Sequence, residues 1–348
     1  MTDPSKPEHH LVSHVFNLVV LAGGAIGLAV MLDRLGWDNA KHVVQGVGGW
    51  FAAIVALDLV GLGLDAAAIH EFMRPESRMV SYWRVLAAQA SGRAINIFVP
   101  GGVVGEATKV SMLVAHAPRD RVLSSIVLFN LATFYISVTI VVIGVPITAL
   151  SVDLPHQLAL VVWIAFAILV PIVIAIGVVI HRGAIDTVCG ALVRIHAISP
   201  DRGARWRDKL AAVDAHLREL HSDQSPGTRN GLLLLGLSRL VAWTTMGLVL
   251  HVVGVALHAK VLVGVLSVGV LLSWAGAIVP LGLGILDVGN YMLFGVLGAA
   301  GATGLFTTLL GRARSLAIAL IGLAIMGIAH TANRVSVARR IRRRAARA

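Results

Sequence analysis

Charge is scarce in this chain. Asp, Glu, Lys and Arg make up 14% of 348 residues, against roughly 25% in an average soluble domain, which leaves too little polar surface for an ordinary water-soluble fold of this size. Cysteine is nearly absent: Cys189 stands alone, so an internal disulfide and a cysteine-based metal cluster are both excluded. Acids are outnumbered, with 18 Asp and Glu against 29 Lys and Arg. The chain also lacks a P-loop, a G-x-S-x-G elbow and an H-E-x-x-H pair, and it leaves no extramembrane stretch large enough for a separate active site. These absences point away from a soluble enzyme, and the sequence implies no catalytic residue, no cofactor and no metal. His10 and His14 have an i, i+4 spacing but lie in a polar N-terminal tail.

What is present is hydrophobic. Apolar residues reach 57%, and runs near or above the ~18–20 residues that span a bilayer recur along the chain. They lie at 15–32, 43–69, 122–150, 157–180, 231–255 and 316–332. The first is too long for a signal-peptide core and has no A-x-A site behind it, so it is expected to stay as an anchor.

The net charge of +11 could suggest nucleic acid, but its distribution does not. Lys and Arg gather around 70–121, in the loop 182–229 and in the tail 333–348. That asymmetry follows the positive-inside rule, with basic loops beside anionic inner-leaflet lipids, and no nucleic-acid partner is expected. Both termini and the loop 182–229 are then cytoplasmic. Within that loop Trp206, Leu210, Val213, Leu217 and Leu220 recur at 4-3-4-3 spacing among basic residues, the pattern of an amphipathic helix on the membrane surface.

Orientation by charge also imposes parity. The segment 82–118 must start and end inside, and 261–310 must start and end outside. Both are interrupted by proline and glycine: Pro100, Gly101 and Gly102 in one, Pro280, Gly282 and Gly284 in the other. At an offset of 180 residues Val99-Pro100 falls on Val279-Pro280, Gly102 on Gly282, and Met112-Leu113 on Met292-Leu293. The predicted fold is an all-α polytopic membrane protein with about six full transmembrane helices. Two oppositely oriented broken-helix, re-entrant hairpins complete an inverted repeat, as in secondary transporters. Half 1 covers about 11–150 with hairpin 82–118, and half 2 about 156–332 with hairpin 261–310, in a single transmembrane domain spanning 1–348.

Broken helices at membrane depth need protein or trapped water to satisfy their backbone, and each new helix start favours an anion. The ionisable groups nearby are therefore the candidate substrate-binding residues, because intramembrane charge is costly and calls for a partner. Arg93 and Asn96 share a face before the first break; Gly105, Glu106 and Lys109 follow it. Asp287 and Asn290 follow the second break, and Arg312 and Arg314 stand where the last span is expected to begin. Glu106 is expected to pair with Lys109 or Arg93, and Asp287 with Arg312 or Arg314. First-turn acids also stabilise helix starts, a plainer reading of Glu106 and Asp287. Asp58 and Asp65, seven apart on one span, read either as a proton-relay pair or as solvated helix-end groups. Arg239 and Asn130 read as ties between helices.

The segments "INIFVPGGVVGEATKVSML" and "VPLGLGILDVGNYML" resemble the two signatures of the lysylphosphatidylglycerol synthase transmembrane-region family of flippase-like membrane proteins. The first carries N-x-x-x-P, the Gly105-Glu106 pair and Lys109; the second carries a proline, Gly282, Gly284 and Asp287. "GRARSLAIALIGL" is similar to the basic pair opening the last span in the branch associated with hopanoid biosynthesis. The chain departs from many relatives at "IVLFNLATFY", where they place an acid-basic pair. The resemblance implies lipid translocation in the bacterial inner membrane. It also implies a chain without the aminoacyl-transferase domain of some relatives, expected not to make a lysyl-lipid itself. Membrane lipids are the expected partners, with a second copy of the chain or lipid-biosynthesis enzymes beside them. The alternatives left open are a membrane-embedded enzyme modifying a lipid head group, a scaffold of lipid biosynthesis, and a transporter of small solutes.

Overall fold

The computed structural model describes residues 45–99, 102–152, 226–277 and 282–345, a few positions between 163 and 171, and side chains of the last helix up to residue 328. Every regular element among them is helical. In chain order they are α1 (Gly49–Phe72), a 3-10 turn (Glu76–Met79), α2 (Tyr82–Phe98), α3 (Val103–Leu113) and α4 (Arg119–Ser151), then α5 (Pro226–Val252), α6 (Ala259–Gly276), α7 (Ile285–Val296) and α8 (Gly301–Ala345). Helix is the only way for a single segment to satisfy its backbone in lipid. The boundaries follow the breakers: α1 ends shortly before Pro75, and α4 starts directly after Pro118.

Five helices are long and apolar enough to cross a membrane: α1, α4, α5, α6 and residues Gly301–Ile328 of α8. The expected spans at 15–32 and 157–180 lie almost wholly outside the described residues, as do His10, His14 and the amphipathic segment 204–220. Two boundaries differ from the sequence expectation. Of the segment 261–310 expected as one hairpin, the helices α6 and α7 end at Val296, and the helix expected to begin near residue 311 already begins at Gly301. Nothing between Gly301 and Arg312 interrupts a helix, so Arg312 and Arg314 lie inside α8 rather than at its start.

Polarity runs inside out relative to a soluble protein. Trp50, Val60, Ile143, Ile147, Leu233, Leu240, Leu320 and Ile328 are exposed, while Asp58, Asp65, Gln89, Lys109, Thr148, Ser238, Ser267 and Arg312 are buried. Charged residues are almost never buried in soluble proteins unless paired, and an apolar exterior of this extent fits lipid.

Because lipid tails are as apolar as leucine, close packing rather than water exclusion holds such helices together, and small residues mark the contacts. Helix α1 packs along α5; α4 packs on α6; α8 packs on α2; and α7 lies against α6 and α8. At the α4–α6 crossing a Cβ on Gly144 would stand 2.6 Å from the Ser267 Cβ, and the Thr148 and Ser267 hydroxyls meet at 3.4 Å. At the α8–α2 crossing a Cβ on Gly322 would stand 2.5 Å from the Ala90 carbonyl oxygen and 2.7 Å from the Ala94 Cβ. Two apolar clusters flank these crossings, one around Ile69, Phe72, Leu113 and Phe129, the other around Val141, Leu250, Val265 and Phe294.

Gly322→Ala is therefore expected to lower the thermal midpoint of the purified protein, overpacking of this kind costing about 1–3 kcal/mol. Gly236→Ala, where an added Cβ meets nothing within 4 Å, should leave it unchanged or raise it, since Ala is the better helix former.

Candidate functional site

The two broken helices build the site from their tips inward. After α2 the chain turns through Gly102, whose φ of +70° suits glycine, and α3 begins. The arms then touch through two glycines. A Cβ on Gly105 would collide with the Asn96 side chain and the Gly92 carbonyl, and one on Gly92 would stand 2.6 Å from the Lys109 side chain. This contact lets the Gly105 N–H donate to Asn96 Oδ1 at 2.9 Å. It also turns Glu106 inward, where Lys109 Nζ donates to its Oε1 at 2.7 Å and Asn130 Nδ2 of α4 to its Oε2 at 2.9 Å. Lys109 is buried, with its ammonium 5.8 Å from the centre of the Phe129 ring. Of the two partners open to Glu106, the structure selects Lys109.

The second tip uses the same elements differently. Gly282 and Gly284 take φ of +61° and +81° before α7. The Asp287 Oδ2 accepts from the Gly284 N–H at 2.9 Å and from Arg312 at 2.8 Å. Asp287 thus stabilises a helix start and holds an intramembrane cation at once. Asn290 donates to the Thr308 hydroxyl of α8 at 2.8 Å.

Arg314 belongs elsewhere. Its Nε lies 3.0 Å from Asp58 Oδ2 on α1. Seven residues on, Asp65 Oδ1 accepts from Arg239 of α5 at 2.7 Å and from the Ser238 hydroxyl at 2.6 Å. Asp65 is therefore a buried, paired carboxylate rather than a solvated helix end, and His70 turns aside to the Val80 carbonyl at 2.9 Å. Four carboxylates thus hold four cations: Asp58 with Arg314, Asp65 with Arg239, Glu106 with Lys109 and Asp287 with Arg312. Arg93 on α2 is left over. Asp58 and Asp65 act on it electrostatically, yet it makes no hydrogen bond or ion pair among the described residues.

These groups border two cavities. A cavity of about 670 Å³ lies between α2, α5, α6, α7 and α8, with Met246, Val265, Val270, Leu286 and Phe294 giving it an apolar body. Its polar rim is Asn96, Asn290, Thr308, Arg312 and Arg314, with Gly102 and Gly282 from the two tips. A smaller cavity of about 220 Å³ is lined by Asp58, Asp65, Gln89, Arg93, Asn96, Lys109, Thr133 and Arg239. Asn96 borders both.

The sequence-derived residues therefore separate by role. Arg93, Asn96, Lys109, Asn290, Arg312 and Arg314 face cavities, while Glu106 and Asp287 hold cations, and Gly105 and Gly284 shape the tips. Pro100, Gly101 and Pro280 lie outside the described residues. Asp58 and Asp65 were legible as a same-face pair without their partners, and Arg239 and Asn130 as ties between helices, which they are, to Asp65 and to Glu106; Gln89 and Thr133 carried no signal in the sequence. The described residues include no group of three or more His, Cys, Asp or Glu placed to hold a metal ion.

Residues 15–322 match the family described as lysylphosphatidylglycerol synthase TM region, and the chain belongs to that family. It is thereby a multi-pass membrane protein of a family tied to lipid metabolism or transport. No curated protein matches the chain. No solved structure matches it either.

The pairing makes a stability prediction. Glu106→Gln leaves the Lys109 ammonium buried without its carboxylate, and breaking a buried pair costs about 3–5 kcal/mol. Adding Lys109→Met removes the stranded charge, so the double variant should recover much of the thermal midpoint lost by the single one. Additive losses would mean that the two groups are not coupled.

Proposed function

We propose that this member of the lysylphosphatidylglycerol synthase transmembrane-region family is a lipid transporter, flippase-like, moving a lipid with a polar or anionic head group across the bacterial inner membrane. The observation that carries the reading is the 670 Å³ cavity with an apolar body and a rim bearing Arg312, Arg314, Asn96 and Asn290. A lipid needs both: acyl chains meet the apolar wall or the bilayer, and the head group meets fixed donors in a low-dielectric setting where each is worth more than in water.

The two halves would be inverted repeats with re-entrant hairpins at 82–118 and 259–296. Part of the packing supports this: α8 on α2 matches α4 on α6, α2 on α3 matches α6 on α7, and α7 on α8 matches α3 on α4, although the α1–α2 contact has no like partner between α5 and α6. Gly144 and Gly322, the close-packed residues of α4 and α8, stand 178 apart in sequence, near the 180-residue offset of the proline-glycine breaks. In a transporter built this way, one half rocks against the other around a site near the midplane.

The ion pairs supply the gating chemistry. Arg312 and Arg314 are held by carboxylates of α7 and α1 respectively. An arriving anionic head group competes for those guanidiniums, freeing Asp287 or Asp58 and loosening a contact between elements that must move. The reading is non-catalytic. Glu106 is engaged by Lys109 and Asn130 and has no second carboxylate or histidine beside it, an arrangement suited to charge pairing rather than proton transfer.

Transbilayer movement of labelled lipid in proteoliposomes tests this. Glu106→Gln and Arg314→Ala should each lower the rate by roughly tenfold or more, the equivalent of about 1.4 kcal/mol on the barrier. Unchanged rates in correctly folded variants would contradict the reading. A chemically altered lipid in extracts of expressing cells would point to a head-group enzyme instead.

A further inference from the structure

We infer that the 220 Å³ chamber around Arg93 is a binding site for one monovalent inorganic anion, of the chloride class, separate from the cavity assigned to the lipid.

Three cations, Arg93, Lys109 and Arg239, line this chamber against two carboxylates, Asp58 and Asp65. Lys109 is held by Glu106 and Arg239 by Asp65, while Asp58 is held by Arg314. Across the described interior this leaves one guanidinium uncompensated. A lysine in that half-buried position could relieve itself by losing its proton, but arginine keeps its charge. An unpaired ion in a low-dielectric interior is costly, so the charge calls for a counter-ion, and the space for one is there. By the liquid share of about 30 Å³ per water, the chamber has room for an ion and several waters.

The donor set also fits an anion. The Thr133 hydroxyl of α4 and the Nε–H of Arg239 on α5 both belong to residues lining the chamber, and neither has a hydrogen-bond partner. With Arg93 on α2, they offer donors from three helices. Two carboxylates in the wall set the valence: one negative charge balances the chamber, whereas a divalent oxyanion overshoots and is repelled by Asp58 and Asp65. The Asp58–Arg314 pair and Asn96 stand between the chamber and the larger cavity, and this separates the ion from the acyl-lined site. An anion here also couples to the lipid reading without depending on it. When Arg314 is drawn away, Asp58 turns to Arg93 and competes with the ion.

The test uses the full chain in detergent at constant ionic strength, replacing gluconate by chloride or bromide. The thermal midpoint is expected to rise saturably with halide. Arg93→Gln should weaken the apparent halide affinity at least tenfold, Arg93→Lys less, and Arg84→Gln, at an exposed site, not at all. The proposal is overturned by a midpoint indifferent to halide or by an undiminished halide response in Arg93→Gln. It is equally overturned if short-chain phosphatidylglycerol produces the Arg93-dependent shift and chloride does not.

Should the Arg93 variants fail to fold, the wild-type chain still decides. Chloride, but not gluconate, should slow phenylglyoxal labelling of Arg93 at least threefold by site-resolved mass spectrometry, and an unchanged rate refutes the site. Halide dependence lost with lipid movement intact counts against this site alone; the reverse outcome counts against the lipid reading alone.

Discussion

Charge placed where water is excluded must find a partner, and this constraint organises the whole interior. Asp58, Asp65, Glu106 and Asp287 each hold a cation, and three of these pairs cross between helices: α1 to α8, α1 to α5 and α7 to α8. Such pairs contribute less to net stability than their Coulomb energy suggests, because desolvation offsets most of it. What they do set is which surfaces meet. A helix rotated by one residue would strand a carboxylate in lipid, so α1 is held in register against both α5 and α8.

Glycine contacts make these pairs reachable. The α2 and α3 arms approach until Gly92 and Gly105 touch, and that approach carries Asn96 to the Gly105 N–H and Glu106 toward Lys109. At the other tip Gly284 gives its N–H to Asp287, and the same oxygen holds Arg312. Local backbone and long-range charge are thus joined at one atom. The cavity lies between the two tips and the facing stretches of α5, α6 and α8, with its polar groups already fixed on helices. An anion that binds Arg312 or Arg314 there meets a guanidinium already held by a carboxylate.

Much of this could be read from the sequence. The long apolar runs became α1, α4 and α5, and the proline-glycine breaks separate α2 from α3 and α6 from α7. Glu106 could be narrowed to Lys109 or Arg93; the three-residue spacing put Lys109 on its face of the helix, and the structure chose it. Asp287 with Arg312 could be narrowed to two partners but not chosen, as the answer depends on where α8 starts, and no breaker marks that start. Asp58 with Arg314 and Asp65 with Arg239 were out of reach. They join helices remote in sequence, and the spacing within α1 says only that both acids share a face. That Arg93 lacks an ion pair among the described residues was hidden for the same reason: it appears only once the partners of Lys109, Arg239, Arg312 and Arg314 are known. Family membership agrees with the resemblance seen in the two signatures.

The central claim is that the two hairpin tips border a hydrated hollow inside the membrane, and cysteine accessibility tests it most directly. With Cys189 replaced by serine, single cysteines at Ile97 and Ala277, which line the large cavity, are compared with cysteines at Val127 and Leu240 on the apolar exterior. A membrane-impermeant thiol reagent applied to reconstituted protein should label Ile97→Cys and Ala277→Cys readily and the exterior positions hardly at all. Equal protection of all four positions would mean that the tips are sealed from water, and the account would be wrong.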